Sequence, residues 1–289
     1  MKHMKRVPLD GAHNFRDLGG LPAGRGAKST CWGCLYRSDS LAGLTDADWA
    51  ELYDRNVRTV IDLRSENEAA ASPIQVPKDI YRDGESLEYR HYNLMKDLDA
   101  QVHGTERSKE TILKSMQLDY VETVFGNMTC CADILRGISE GLDRGAVVFL
   151  CSAGKDRTGI TAAMVLYLAG VAREDILADY MISSTLNTDG INRLMKNFPV
   201  PEEYLAAIPD LMERVKQVLD SRPETMAALL DAFDVRGLRD CLAEAGFGLN
   251  EQKTLAEKCL EKIDNYYQFK VDNCLRMKYN EAIDKVRIY

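Results

Sequence analysis

The sequence predicts an α/β domain in which a central, mostly parallel sheet is flanked by helices. Two short apolar stretches, at residues 57–64 and 146–150, have the length and composition of buried strands. The second one passes through a Gly-containing loop into the almost wholly apolar stretch 160–168, which is typical of a helix inside the domain. In sheets of this class, ligands bind beyond the carboxyl ends of the strands. We therefore expect a functional site at that edge.

Length and composition favour one elaborated domain. The chain has 289 residues, of which 45% are hydrophobic, so it can bury a large core. We expect this domain to cover residues 1–262, with 263–289 as a helical C-terminal extension packed on it. The net charge of −8 argues against non-specific binding of nucleic acid.

The cellular compartment is predicted from what the sequence lacks. No apolar run is long enough for a transmembrane helix, and residues 1–10 lack the apolar core of a signal peptide. The eight cysteines are spread thinly, which favours reduced thiols over a disulfide framework. We expect a cytoplasmic protein, although unconventional secretion would leave no recognisable signal.

The other elements follow from spacing and capping residues. Thr45 is a good N-cap for a helix that buries Trp49. Prolines within the charged stretch 65–94 exclude a long helix there, so we predict a loop followed by a strand at 88–94. Further helices are predicted at 120–138, 174–184, 201–219, 225–233 and 236–245. The polar segment 95–117 fits either a lid over the site or a solvated surface helix.

The loop after the second strand carries the residues with clear chemistry. Cys151 stands at the end of the strand, and Arg157 follows six positions later, shortly before the helix predicted at 160–168. Loop amides and the positive end of that helix favour an anion with several oxygens, and the same field favours the thiolate form of a cysteine. The guanidinium of Arg157 can bind two such oxygens at once.

Two stretches resemble one known family. The string Cys-Ser-Ala-Gly-Lys-Asp-Arg-Thr-Gly at 151–159 is similar to the Cys-x5-Arg loop of the atypical bacterial tyrosine, dual-specificity and phosphoinositide phosphatases. The block Asn-Phe-Arg-Asp-Leu-Gly-Gly at 14–20 matches the N-terminal block of the same family. The resemblance implies a protein-tyrosine-phosphatase-like fold, hydrolysis of phosphoric monoesters through a phosphocysteine, and no metal or organic cofactor. The implied partners are phosphorylated proteins or phosphoinositides.

The chemistry then assigns roles within this loop. Cys151 is the expected nucleophile, and Arg157 and the loop amides bind the phosphate oxygens. Thr158 is expected to donate its hydroxyl to the Cys151 thiolate. The expected phosphate-binding residues are Ser152, Ala153, Gly154, Lys155, Asp156 and Thr158.

The general acid is predicted to be Asp156, because it belongs to the loop itself. Asp62 and two carboxylates of the candidate lid, Asp97 and Asp99, are the alternatives. Each of them could instead only neutralise a nearby cation. The fixed charge of Lys155 would favour a second phosphate, as in an inositol lipid headgroup.

A second group of polar residues is expected to support the loop. Asn14 and Arg16, together with Asp17, are interpreted as a network that braces the active-site side of the sheet. Asp62 and Arg64 end the strand 57–64 and would lie beside the loop if the two strands are neighbours. An Asp–Arg pair that ties a helix to the sheet explains them equally well.

Two departures keep other functions open. Leu150 occupies the position where the family has a histidine, so we expect an impaired or pH-shifted site and keep a phosphate-binding pseudophosphatase as the alternative. Cys31 and Cys34 form a Cys-x-x-Cys motif, which would have a role in an arsenate-reductase-like redox enzyme. No second ligand pair follows at a zinc spacing, and we interpret both cysteines as incidental.

Overall fold

The fold is seen in a computed structural model, which describes residues 4–24, 28–81, 85–94, 118–188 and 220–262. The candidate lid 95–117 with Asp97 and Asp99, the helix expected at 201–219 and the extension 263–289 lie outside the described residues. The proposed domain boundary at residue 262 therefore stays a prediction.

The main sheet has five strands in the order β1-β4-β7-β5-β6. Strands β4, β7, β5 and β6 are parallel, and β1 is antiparallel to β4. This mostly parallel sheet with helices around it confirms the predicted fold class. The strands are β1 (Arg16–Asp17), β4 (Leu35–Ser38), β5 (Val57–Asp62), β6 (Glu88–His91) and β7 (Ala146–Leu150).

A second, smaller sheet was not predicted. It joins β2 (Pro22–Ala23), β3 (Lys28–Thr30) and β8 (Leu260–Lys262) in antiparallel order. Strands of two or three residues are too short to show a period in the sequence. The pairing of β3 with β8 fastens the end of the described helical region to the N-terminal part of the chain.

Nine helices are described, and most lie where the spacing placed them. The segment predicted as one helix at 236–245 is shorter, because Gly237 has φ +70° and separates it from the helix before. The helices are α1 (Asp46–Asp54), α2 (Glu66–Ala71), α3 (Tyr120–Phe125), α4 (Met128–Gly141), α5 (Asp156–Leu168), α6 (Arg173–Leu186), α7 (Pro223–Arg236), α8 (Leu238–Glu244) and α9 (Leu249–Lys258). None of these described helices has the length and hydropathy needed to cross a bilayer.

Helix α2 corrects the prediction of a plain loop after residue 64. Ser65 caps it, because its hydroxyl accepts from the Glu68 amide and its own amide donates to the Glu68 carboxylate. Such a Ser-x-x-Glu capping box is a recognisable start signal of a helix in the sequence. The prolines did exclude a long helix, and α2 has only six residues.

Two apolar clusters cover the two faces of the main sheet. Side chains of β7 alternate between them, as expected for a strand that is buried on both faces. Cys151 lies in the larger cluster with helices α3 to α9, whereas Leu150 packs into the smaller one with Phe15, Tyr36 and Trp49. Any effect of Leu150 on Cys151 is therefore transmitted through the backbone and not by side-chain contact.

This placement predicts the cost of a histidine at position 150. The Leu150 side chain is fully buried among apolar groups, so Leu150→His buries a polar ring there and should lower the free energy of unfolding by about 1–3 kcal/mol. Chemical denaturation measures this loss, and Leu150→Met, which keeps the volume, should lose less than about 1.5 kcal/mol. A histidine variant as stable as the native protein would contradict the packing described.

Candidate active site

The loop 151–155 lies at the carboxyl end of β7, the middle strand of the main sheet. Its neighbours on the two sides are β4 and β5, which pair with β7 in parallel so that Ser38 and Asp62 both lie opposite Leu150. The two strands are therefore neighbours, which is the condition under which Asp62 and Arg64 were expected beside the loop. Helix α5 begins directly after the loop, at Asp156, and no side chain caps its first turn. Its free amide ends and its dipole are thus directed towards the loop.

Two asparagines hold the backbone of this loop through hydrogen bonds to its carbonyl groups. Asn14 donates from Nδ2 to the carbonyls of Ala153 and Gly154, at 3.0 and 3.1 Å. Asn187, at the end of α6, donates to the Ala153 carbonyl at 2.8 Å. The N-terminal block and the end of α6 thus meet at the Ala153 carbonyl.

Two further donors come from β4 and the residues after it. Arg37 donates from Nη2 to the Gly154 carbonyl at 2.8 Å, and the Ser40 amide donates to the Ser152 carbonyl at 3.2 Å. In a trans peptide, the carbonyl and the amide hydrogen of one plane point in opposite directions. Three successive carbonyls turned towards these donors therefore turn the three following N–H groups to the other side of the loop. That side is suited to an anion.

Gly154 permits the close contact between loop and sheet. Its φ of +65° disfavours any side chain, and a Cβ there would lie 2.5 Å from the Asp39 nitrogen and 2.6 Å from the Ser38 carbonyl group. The loop can approach β4 this closely only because the residue at this position is glycine.

A buried ion cluster fixes the donors themselves. The Asp179 carboxylate on α6 accepts from Arg16 Nε at 3.1 Å and from Arg37 Nη1 at 2.7 Å. Burial opposes its charge, but Arg16 and Arg37 hold the pKa of Asp179 well below its usual range. Burial also lowers the pKa of Arg16 to about 10. Arg16 in turn donates to Asn14 Oδ1, which leaves the Asn14 amide nitrogen to face the loop.

The three residues expected to brace the sheet do not all belong to one network. Asn14 and Arg16 lie in the network just described. Asp17 instead accepts from the amides of Gly19 and Gly33, at 2.7 and 2.8 Å, and holds turns of the N-terminal hairpin. Burial raises the pKa of Asp17.

Arg157 is engaged by a residue that the sequence did not suggest. Its Nη1 and Nη2 donate to the two carboxylate oxygens of Glu68, at 2.5 and 2.8 Å, and the Ser152 hydroxyl donates to the same carboxylate at 2.6 Å. Although burial opposes both charges, the Arg157 hydrogen bonds lower the pKa of Glu68 far below its usual range. The same contact, with Cys151 and Asp156 nearby, raises the pKa of Arg157. A carboxylate therefore occupies the guanidinium edge that suits a phosphate.

Asp156 and Lys155 contact each other at the start of α5. Lys155 Nζ lies 3.2 Å from Asp156 Oδ1 and 3.4 Å from the Asp220 carbonyl oxygen, and its side chain is buried. Asp156 is about one-third exposed and accepts a second contact, from the Tyr120 hydroxyl at 2.5 Å. Lys155 is therefore held inside the site and is not a free surface cation.

Thr158 does not make the contact expected of it. Its hydroxyl is fully buried and has no hydrogen-bond partner among the described residues. The hydrogen bond that we predicted from Thr158 to Cys151 is not formed in this structure.

Asp62 and Arg64 form an ion pair. Arg64 Nε contacts both oxygens of Asp62 at 3.0 Å, and Tyr89 donates to Oδ2 at 2.8 Å. Arg64 also donates to the carbonyl of Ser72, which follows α2, at 2.7 Å. This pair ties the end of α2 to the sheet, which is the structural role that the sequence left open.

The Cys-x-x-Cys motif lies away from this loop. Cys34 directly precedes β4, whereas the loop meets the opposite, carboxyl end of that strand. Burial raises the pKa of Cys34 to about 12 and also raises the pKa of Cys31. Both are free thiols, like the other cysteines that the structure describes.

The fold and the loop together define a class of protein: an α/β domain with a cysteine and an arginine around an oxyanion site. A model of the tyrosine phosphatase family matches residues 7–261. The chain belongs to the tyrosine phosphatase family. The resemblance seen at residues 14–20 and 151–159 is thereby confirmed.

Individual relatives are also named as phosphatases. A tyrosine-protein phosphatase of Nostoc commune is 34% identical over 150 residues, which cover 52% of this chain and 48% of that protein. The match thus spans about half of that relative's length. The triple specificity protein phosphatase PtpB of Mycobacterium tuberculosis is 28% identical over 239 residues, 76% of each chain.

A comparison of structures adds one neighbour. The crystal structure of TpbA from P. aeruginosa is similar with a TM-score of 0.36 and 17% identity, over 75% of this chain and 91% of that one.

The contact between Glu68 and Arg157 predicts competition with phosphate. Removing the Glu68 charge frees the guanidinium, so Glu68→Gln should tighten binding of inorganic phosphate about tenfold, or about 1.4 kcal/mol. Titration calorimetry with phosphate measures this change. The low pKa of Glu68 keeps it ionised at ordinary pH, so the difference should persist on mild acidification.

The control for this experiment lies on the same helix. Glu66 accepts from Asn93 instead of Arg157, so Glu66→Gln removes the same charge without touching the guanidinium and should leave phosphate binding unchanged. Weaker phosphate binding in Glu68→Gln than in the native protein would show that Glu68 prepares Arg157 for the anion instead of competing with it.

Proposed function

We propose that this protein is a cysteine-dependent phosphatase that hydrolyses phosphotyrosine through a phosphocysteine intermediate. The observation that carries the proposal is the position of Cys151 at the start of a loop whose carbonyls are held by Asn14 and Arg37, with Arg157 near enough to interact with the charge of Cys151. Membership of the tyrosine phosphatase family and the names of the relatives support the same activity.

In the first step, the Cys151 thiolate attacks phosphorus. The sulfur–phosphorus bond forms, the bond to the ester oxygen breaks, and that oxygen takes a proton from Asp156 as the phenol leaves. The Arg157 guanidinium and the loop amides bind the equatorial oxygens, on which charge accumulates. Glu68 must release Arg157 for this contact.

In the second step, water attacks the phosphocysteine. The Asp156 carboxylate accepts a proton from the water, a new phosphorus–oxygen bond forms, and the sulfur leaves as thiolate. The products are inorganic phosphate and the enzyme in its starting state, so the residues of the chain complete the cycle by themselves.

The geometry favours Asp156 over Asp62 as the acid. Asp156 is partly exposed and lies next to Arg157 in the chain, whereas Asp62 is fully buried and both its oxygens are held by Arg64. An acid must reach the leaving group, and a carboxylate held in this way cannot.

The substrate class follows from the same contacts. Lys155 suggested phosphoinositides, but its side chain is buried and its charge faces Asp156. This arrangement supports phosphotyrosine better than a headgroup with a second phosphate. Phosphoserine and phosphothreonine belong to the proposal as secondary substrates, since the name of PtpB indicates that a relative has more than one specificity.

The redox alternative receives no support from the geometry. An arsenate-reductase-like cycle needs a second thiol that reaches the first, and Cys31 and Cys34 precede β4 at the end of the sheet opposite the loop. Their raised pKa values also disfavour the thiolate that such an exchange needs.

Replacing the nucleophile tests the proposal. Cys151→Ser should lower hydrolysis of p-nitrophenyl phosphate and of a phosphotyrosine peptide by at least about 10³-fold. Acid quenching of the native enzyme during turnover should yield a phosphoryl group on the peptide that contains Cys151. Cys241→Ser, on α8, serves as the control and should retain full activity.

Two results would contradict the proposal. Undiminished hydrolysis by the serine variant would exclude Cys151 as the nucleophile. Phosphate binding without any turnover by the native protein would establish the phosphate-binding pseudophosphatase that Leu150 left open.

A further inference from the structure

A pair of buried tyrosines contacts the candidate acid. Tyr120 begins α3 and is only 3% exposed, and its hydroxyl lies 2.5 Å from Asp156 Oδ1 and 2.8 Å from the Tyr180 hydroxyl. The two rings meet edge to face, with centroids 6.0 Å apart. Side chains of α6 and α3 thus form a chain of two hydrogen bonds that ends on one carboxylate oxygen at the start of α5.

The direction of these hydrogen bonds follows from the donor inventory. An ionised carboxylate only accepts, so Tyr120 donates its proton to Asp156. The Tyr120 oxygen is then left to accept, so Tyr180 donates to Tyr120. Burial and the charge of Asp156 raise the pKa of Tyr120 well above its usual range. The phenol therefore stays a donor at every pH at which the enzyme would work.

This contact distinguishes the two oxygens of Asp156. The described contacts of the carboxylate, from Tyr120 and from Lys155, both fall on Oδ1. The proton for a leaving group would consequently be carried by Oδ2. Because Oδ1 is held by both Tyr120 and Lys155, rotation of the carboxyl group is restricted, and the position of Oδ2 is fixed with it.

We propose that Tyr120 is a positioning residue that orients Asp156 so that its Oδ2 delivers the proton to the leaving group. Tyr180 acts on Asp156 only through Tyr120, because its hydroxyl holds the Tyr120 hydroxyl by a hydrogen bond. The inference rests on the proposed function, in which Asp156 is the general acid. Neither tyrosine is expected to touch the substrate.

A purely structural role would have a different signature. Loss of fold stability lowers activity towards every substrate by the same factor. Loss of proton delivery lowers the rate most for esters with a basic leaving group, because these need the proton most. The ratio of rates on two aryl phosphates therefore separates the two roles.

The experiment compares phenyl phosphate with p-nitrophenyl phosphate, using kcat/KM, which reports formation of the phosphocysteine. Tyr120→Phe should lower kcat/KM for phenyl phosphate about tenfold or more, with a much smaller loss for p-nitrophenyl phosphate. Asp156→Asn should show the same selectivity with a loss of about 10²-fold or more on phenyl phosphate. Tyr180→Phe should show it more weakly.

The chain offers a matched control. Tyr167 lies near the end of α5, the helix that begins with Asp156. Its hydroxyl donates to Asp234 Oδ1 at 2.8 Å, which is the same kind of tyrosine–aspartate hydrogen bond. Tyr167→Phe should change neither rate. A thermal melt of each variant reports its folding separately, and if Tyr120→Phe does not fold, Tyr180→Phe decides the question by the same ratio.

The outcomes distinguish a failure of the role proposed for Tyr120 from a failure of the role proposed for Asp156. Selectivity in Asp156→Asn but equal losses in Tyr120→Phe would overturn the role of Tyr120 alone. Equal losses on both substrates in Asp156→Asn would remove Asp156 as the acid, and the role of Tyr120 with it. The nucleophile is tested independently by Cys151→Ser.

Discussion

The buried carboxylate of Asp179 is the interaction on which the geometry of the site depends. It holds Arg16 and Arg37, and through them Asn14 and the carbonyl of Gly154. Removing one partner of such a buried cluster costs about 3–5 kcal/mol, since it leaves a charge without compensation. Because the folded pKa of Asp179 is depressed, its contribution to stability is present above about pH 4 and is lost as the pH falls through the folded value.

This cluster also explains how a protein with a net charge of −8 can present an anion site. The two buried arginines share the single carboxylate of Asp179 and donate to Asn14 and to the Gly154 carbonyl, so their described contacts orient the groups that hold the loop. In the proposed function, attraction of the substrate is left to the loop amides, the N-terminus of α5 and Arg157. Glu68 satisfies Arg157 in this structure, and the proposed function requires a phosphate to replace that carboxylate.

Local signals in the sequence account for the parts of the structure that could be predicted. Strand β7, the loop and α5 follow one another directly, and their apolar runs and the spacing from Cys151 to Arg157 are visible between residues 146 and 168. Glu68, Asp179 and Tyr120 were missed because their partners are remote: 89 residues separate Glu68 from Arg157, and 163 separate Arg16 from Asp179. The capping box of α2 would have located the helix but not the target of its Glu68 carboxylate. For Leu150, the sequence showed the substitution, but only the packing shows that its side chain faces away from Cys151.

The most direct test of this account observes the loop amides during anion binding. Backbone amide resonances of the native protein can be followed by NMR while inorganic phosphate is added. If the carbonyls of Ser152, Ala153 and Gly154 are held away from the site, the amides of Ala153, Gly154 and Lys155 should shift most and become protected from exchange, while that of Asp179 should stay unchanged. Saturable phosphate binding that leaves these three amides unaffected would contradict it.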